Sequence, residues 1–402
     1  APVSASKLRI QVRDLDGQQE GLPLYFRLTE LEAYAPTDFI DIGRVIYVQV
    51  SSSETCTPSG IAALHDNSDK TYAAEHAING MYYDNLEHLG YAVPESFGLK
   101  NFKNTADIEI NILRWWQHRI FRNSGVSADG TEIYLDTDWL TSLQSTAYSD
   151  RITWIENAYE FIDQPGEWYL NRSESKLYYK PDGSMDGKSA TLPVTEQLLV
   201  FEGTENITFD GVKFEDTSWL TPNEIGYNDA QSGTYAQHNG VWGDVPGAIE
   251  THAAKNITIT NSELRNLGIG GIRIGNGSSD CAITNSAIHD ISSSGIFIGN
   301  NTGHNHGYCD PGTDVTGVVV RNNYITRTGL DIFGSSAICA LYTSDTVIDH
   351  NEVCYTTYTG ISLGWGWDWK NAPCSGNNTV SNNYIHDTGK TIHDGGSFYS
   401  LG

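Results

Sequence analysis

The stretch "HDTGKTIHDGGSFYSLG" (386–402) sets an acidic residue, Asp394, against two glycines, with His393 before it and Phe398 and Tyr399 after it. Glycine lets a backbone turn sharply and lets a ligand come close, so a carboxyl beside Gly395 and Gly396 is well placed to meet a reacting group. A second acid, Asp331, stands in a similar turn, "TRTGLDIFGSSA" (326–337), and a third, Asp349, in "VIDHN" (347–351). Two carboxyls near each other in a half-buried notch titrate apart, one staying protonated and one ionised, which is what general acid–base chemistry needs. Asp394 is therefore the expected catalytic group, with Asp331 or Asp349 as its partner. His393 is placed to orient or tune Asp394, and Tyr399 to line the same site. In "GWGWDWKNAPC" (364–374) Trp365, Trp367 and Trp369 alternate, so an extended backbone puts the three indoles on one face. Such a face either binds the apolar side of a sugar ring or packs beneath Cys374.

These groups need a rigid scaffold, and the chain repeats from about residue 199 onward. The copies read "NITFDGVKF" (206–214), "NITITNSEL" (256–264), "CAITNSAI" (281–288), "VVVRNNYI" (318–325), "TVIDHNEV" (346–353) and "NTVSNNYI" (378–385). A second short strand follows most copies, as in "GIRIG" (271–275), "GIFIG" (295–299) and "GISLG" (360–364). Strands this short cannot bury a face alone, whereas stacking coil on coil buries the Ile/Val/Leu rows inside a tube. The predicted fold is all-β, a parallel β-helix, right-handed by analogy. Asn323, Asn351 and Asn383, continued by Ser262 and Ser286, form a column expected to hydrogen-bond from coil to coil at a sharp corner.

Spacing shows which coils are decorated. Plain coils take 8 residues from the first-strand anchor to the next strand, as from Leu264 to Ile272, while Ile325 to Ile338 and Ile385 to Phe398 take 13. The extra turns carry Asp331 and Asp394, with the tight coil "CYTTYTG" (354–360) between them as the floor of a notch. Coils stack about 4.8 Å apart, so two coils separate the turns by about 10 Å. Inward-reaching side chains then leave both outcomes of glycoside hydrolysis open, inverting at about 6.5–9.5 Å between carboxyls or retaining at about 5–5.5 Å.

Composition narrows the class. With 24 Lys+Arg against 50 Asp+Glu, the net charge of −26 repels nucleic acid and anionic membranes, and no run is long enough to span a bilayer. Neutral ligands fit better than polyanions. The start "APVSAS" reads as a trimmed export product, so the protein is expected to be secreted. Six cysteines without a CxxC pair, Cys56, Cys281, Cys309, Cys339, Cys354 and Cys374, are expected to form disulfides, and no His/Cys cluster is spaced for zinc. No cofactor is called for, calcium being the one ion left open.

The stretch "WIENAYEFIDQPGEWYLNRSESKLYYKPDG", with "NITFDGVKFEDTSW" and the closing "HDGGSFYSLG", resembles secreted right-handed parallel β-helix proteins related to glycoside hydrolase family 141. The resemblance covers about residues 100–402 and implies fucosidase- or xylanase-like activity and an acidic pair on the solenoid. "SKLRIQVRDLDGQQEGLPLYFRLTELEAYAP" (6–36) and "VQVSSSETCTPSGIAALHDNSDKTYAAEHA" (48–77) resemble fragments of a discoidin-type carbohydrate-binding jelly roll, in reversed order. The expected organisation is a β-rich region at 1–95, an irregular β region at 96–198 and solenoid coils at 199–402, with further protein after residue 402. The leading expectation is a glycoside hydrolase acting on a plant or microbial polysaccharide. A polysaccharide lyase would instead need cations, for which Arg321, Arg327, Lys370 and Lys390 are at hand, and a non-catalytic carbohydrate-binding solenoid would need the tryptophans alone.

Overall fold

The computed structural model describes residues 79–84, 88–135, 152–188, 190–236, 242–299, 314–364, 375–392 and 394–400. From Leu199 the chain winds through three parallel sheets in turn, and each circuit is one coil. Wall A stacks strands Leu199–Glu202, Gly247–His252, Gly270–Gly275, Ile296–Ile298, Ile338–Ala340, Ile361–Leu363 and Phe398–Ser400. Wall B stacks Glu205–Asp210, Lys255–Thr260, Ala282–Thr284, Val319–Arg321, Val347–Asp349 and Thr379–Ser381. Wall C stacks Lys213–Thr217, Glu263–Leu267, Ala287–Ile291, Tyr324–Thr328, Glu352–Cys354 and Tyr384–His386. The protein is a right-handed parallel β-helix, the repeat having predicted the stacked coils and analogy their hand.

Register explains why the short strands hold. Ile249, Ile272, Ile296, Ile338 and Ile361 pair in one column of wall A, and Leu264, Ile288, Ile325 and Val353 in one column of wall C. These side chains are fully buried in a single core. Each contributes about 1.5–3 kcal/mol on burial, which a three-residue strand could not obtain alone. Phe398 continues the wall A column in register with Ile361, but 46% of it is exposed.

The polar column is a continuous ladder. The Asn323 and Asn351 backbone N–H groups donate to Asn351 Oδ1 (3.1 Å) and Asn383 Oδ1 (2.9 Å), and the Ser286 N–H donates to Asn323 Oδ1 (3.0 Å). The left-handed backbone lies one residue earlier, at Asn261, Asn285, Asn322, His350 and Asn382, with φ between +50° and +56°. Turning the corner and bridging the coils therefore fall to adjacent residues, where a single asparagine was expected to do both.

An antiparallel sheet flanks the solenoid. Strands Asn79–Asp84, His88–Ala92, Glu132–Leu135 and Gln117–Val126 are joined by Glu109–Arg114 and Trp154–Glu156, over a core that includes Tyr91, Ile110, Phe121 and Phe161. The sheet is completed by Tyr227–Gln231, Thr234–Ala236 and Trp242–Asp244, which belong to the first coil. Phe214 and Ile249 are the register counterparts of Leu264 and Ile272, so 35 residues stand where a plain coil uses 8. This insertion pins the flanking sheet to the tube.

The expected disulfides are not formed by Cys281, Cys339 and Cys354, which are buried free thiols. Cys339 and Cys354 sit on different walls, in register with Phe297 and Ser362 and with Thr326 and His386, so neither meets a partner sulfur across the ladder. Cys56, Cys309 and Cys374, like the jelly-roll-like fragments of residues 6–77, lie outside the described residues.

Candidate active site

The corner from wall C to wall A carries insertions at 218–246, 329–337 and 387–397. The last two fold alike, and backbone hydrogen bonds fix their alignment. The Asp331 and Ile332 N–H groups donate to Ser292 O in the coil before, as the Thr391 and Ile392 N–H groups donate to Thr357 O. Gly329 and Gly389, at φ +75° and +66°, begin the two turns. Asp331 is thus the counterpart of Thr391, and the counterpart of Asp394 is Gly334. The insertions match in corner and design, but their aspartates occupy different positions.

Asp331 is half-buried and accepts a 2.5 Å hydrogen bond from Ser292 Oγ, in the coil before its own. It faces the flanking sheet, where burial pushes the Glu156 carboxyl well above its ordinary range, reinforced by Glu109 and more weakly by Asp331. Asp349 lies on wall B rather than at this corner. It accepts hydrogen bonds from Ser381 (2.7 Å) and Asn382 (3.0 Å), and pairs with His350 (2.7 Å) and Arg321 (3.1 Å). The Ser381, His350 and Asn382 hydrogen bonds hold it far below the usual carboxylate range, as befits a fixed structural anion.

Asp394 is solvent-exposed, and its main chain is held by Tyr358 of the plain coil, whose hydroxyl donates to Asp394 O at 2.8 Å. That hydroxyl also accepts a 3.1 Å hydrogen bond from Gln231 Nε2 of the first insertion. Burial pushes Tyr358 up to about 12, so it stays a phenol. Gly395 is required here: a Cβ would meet Thr359 Oγ1 at 2.4 Å and the Tyr358 ring at 2.5 Å. Beneath, Tyr358 packs with Trp154, Phe333 and Ile392, so both insertions and the flanking sheet seat on one aromatic cluster. Tyr399 lies on wall A in register with Ser362, half-buried and near enough to Tyr358 to influence it.

A carboxyl that sequence reasoning missed completes the corner. Asp229, on Tyr227–Gln231, accepts hydrogen bonds from the His118 N–H (3.0 Å) and the Tyr227 hydroxyl (3.3 Å). Burial raises it to about 8, so at neutral pH it is mostly protonated. Its Oδ2 fills the space over Gly334, lying 1.8 Å from where a Cβ would be. Reaching across from the first insertion, the Asp229 carboxyl therefore fills the place over Gly334 that corresponds to Asp394 two coils on. The 35-residue gap after Phe214 was the signal that could have drawn attention to this stretch.

His393, Trp365, Trp367 and Trp369 lie outside the described residues. Among the described residues one group could hold a metal ion, Glu352, Cys354 and His386 on wall C, which short-range spacing had not suggested.

Comparison with known proteins agrees with the fold. A family model described as right handed beta helix region matches residues 247–401. A solved structure named "Glycoside hydrolase" superposes with a TM-score of 0.68 at 24% identity, covering 81% of this chain and 63% of that one, so the chain spans less than two thirds of its length. A structure described as the complex of XylC with xylose aligns at 12% identity and a TM-score of 0.34, covering 82% of this chain and 53% of that one. No curated protein matches the chain.

Proposed function

We propose that the chain is the solenoid body of a secreted glycoside hydrolase acting on a polysaccharide, with Asp229 as proton donor and Asp394 as the carboxyl that activates water. One observation carries this reading: the Asp229 carboxyl reaches from the first insertion into the space over Gly334, the counterpart of Asp394 two coils before it, and the Tyr358 hydroxyl of the coil between bonds both Gln231 and the Asp394 main chain. Burial keeps Asp229 neutral, while Asp394 is open to solvent, which separates the two roles by environment. Two coil spacings amount to about 10 Å, close to the about 6.5–9.5 Å of inverting hydrolysis and about twice what a retaining pair needs. The likeness to a structure named glycoside hydrolase supports the same class.

A lyase would need free cations near the corner, and three of the four basic residues considered for that role are engaged. Arg327 is bound to Asp290, Arg321 to Asp349 and Lys390 to Asp387. Lys370 lies outside the described residues.

The test is release of reducing sugar from a panel of neutral and acidic glycans, with the product anomer followed by NMR. Asp394→Asn and Asp229→Asn should each lower turnover by more than about a hundredfold while folding is kept. An unsaturated product, or near-normal turnover in either variant on the substrate the native chain cleaves, would reject the assignment.

A further inference from the structure

The outer face of wall C repeats a side-chain frame that the corner does not use. Two "IHD" stretches, 288–290 and 385–387, place a histidine between two carboxyls. His289 Nδ1 lies 2.7 Å from Asp290 Oδ2, and its Nε2 lies 3.1 Å from Glu263 Oε1 of the coil before. His386 repeats this with Asp387 Oδ2 at 2.9 Å and Glu352 Oε1 at 3.5 Å. Asp290 and Asp387 share the left-handed backbone, at φ +58° and +50°.

The frames differ in the residue one coil back, in register with the histidine. At the first it is Arg265, whose guanidinium bonds Glu215 at 2.7 Å and lies 3.7 Å from Glu263. Lys213 (3.2 Å from Glu263) and Arg327, bound to Asp290, bring further positive charge. At the second frame the residue is Cys354. There, Lys390 sits on Asp387 at 2.6 Å, and among the described residues the ionic partner of Glu352 is His386 alone. The same anionic frame has lost its central cation and gained a thiol.

We infer that Glu352, Cys354 and His386 bind a zinc ion, which stands where the Arg265 guanidinium stands in the first frame. Their ligand atoms all lie within 4.8 Å of one another. Tetrahedral zinc with N, O and S ligands requires separations of about 3.3–3.8 Å, which the His386–Glu352 pair already meets at 3.5 Å. Asp387 on Nδ1 leaves Nε2 for the metal, the carboxylate–histidine–metal arrangement that orients such ligands. Tyr324 and Thr326 hydroxyls surround the sulfur at 3.8 and 3.4 Å, and can donate to it once it is a thiolate. Thiolate and imidazole favour zinc over calcium, and a water completes four-coordination. The ion ties adjacent coils together where the insertion bearing Asp394 begins, independently of the proposed reaction.

Cobalt(II) titration of the full chain under reducing conditions tests this, because cobalt bound to a thiolate gives a near-ultraviolet charge-transfer band. The band should saturate at one equivalent, disappear on adding zinc, be absent in Cys354→Ser and persist in Cys281→Ser. His386→Asn and Glu352→Gln should weaken cobalt binding by about tenfold or more. No band in the native chain, or a band that survives in Cys354→Ser, overturns the inference. If Cys354→Ser does not fold, His386→Asn decides: unchanged affinity in that variant overturns it as well.

Discussion

The protonation of Asp229 can be read directly from stability. Its carboxyl is pushed up to about 8 by burial, against about 3.9 in an unfolded chain. The folded state therefore binds this proton more tightly, and the stabilisation is fully present below about pH 4 and lost as pH rises through 8. Between pH 5 and pH 9 the loss is about 4 kcal/mol, more than half of it gone by pH 7. Asp229→Asn retains an acceptor for the His118 N–H but cannot ionise, so its stability lacks this term. Urea unfolding of both proteins at pH 5, 7 and 9 cancels the other titrations, and the variant should gain about 4 kcal/mol on the native chain across that range. Turnover of the native protein should fall above about pH 8 if this proton goes to the leaving group. Stability curves that run parallel to within about 1 kcal/mol would refute both the buried acid and its catalytic use.

Asn351→Ala removes a buried side chain that accepts from the Asn323 N–H and Nδ2 and donates to Val320 O, Asp349 O and Asn383 Oδ1. Urea unfolding should show a loss of about 3–5 kcal/mol, well above that of Asn383→Ala at the half-buried end of the ladder; equal losses would deny that the ladder is cooperative. Ile296→Asp puts an unpaired charge into a fully buried column and should unfold or aggregate the chain. A soluble variant with an unchanged melting temperature would count against the coil register. Gly395→Ala should push the Asp394 turn off Tyr358 and cut kcat by about tenfold or more with little change in melting temperature, and normal kcat would show that this contact does not position the carboxyl.

The solenoid was legible in the sequence because its physics is local and repeated. Each coil places an Ile, Leu or Val at the same point of a short strand, and a column of such residues has no other way to be buried. The Asn323–Asn351–Asn383 ladder and the decorated corner follow from the same period. Counting from Ile325 and Ile385 already sets the two aspartates three residues apart within their turns, and the hydrogen bonds to Ser292 and Thr357 agree. Which acids meet at the corner was not legible. Asp229 lies more than a hundred residues from Asp394 and reaches the corner because an antiparallel strand of the first insertion joins the flanking sheet. Cys354 and His386 are neighbours for a similar reason: one coil of 32 residues brings them into register, and no short spacing records it. Composition and periodicity determine a tube with a preferred decorated corner. Which acid is desolvated, and which side chains from distant coils share a point, depend on packing that exists only once the coils have stacked.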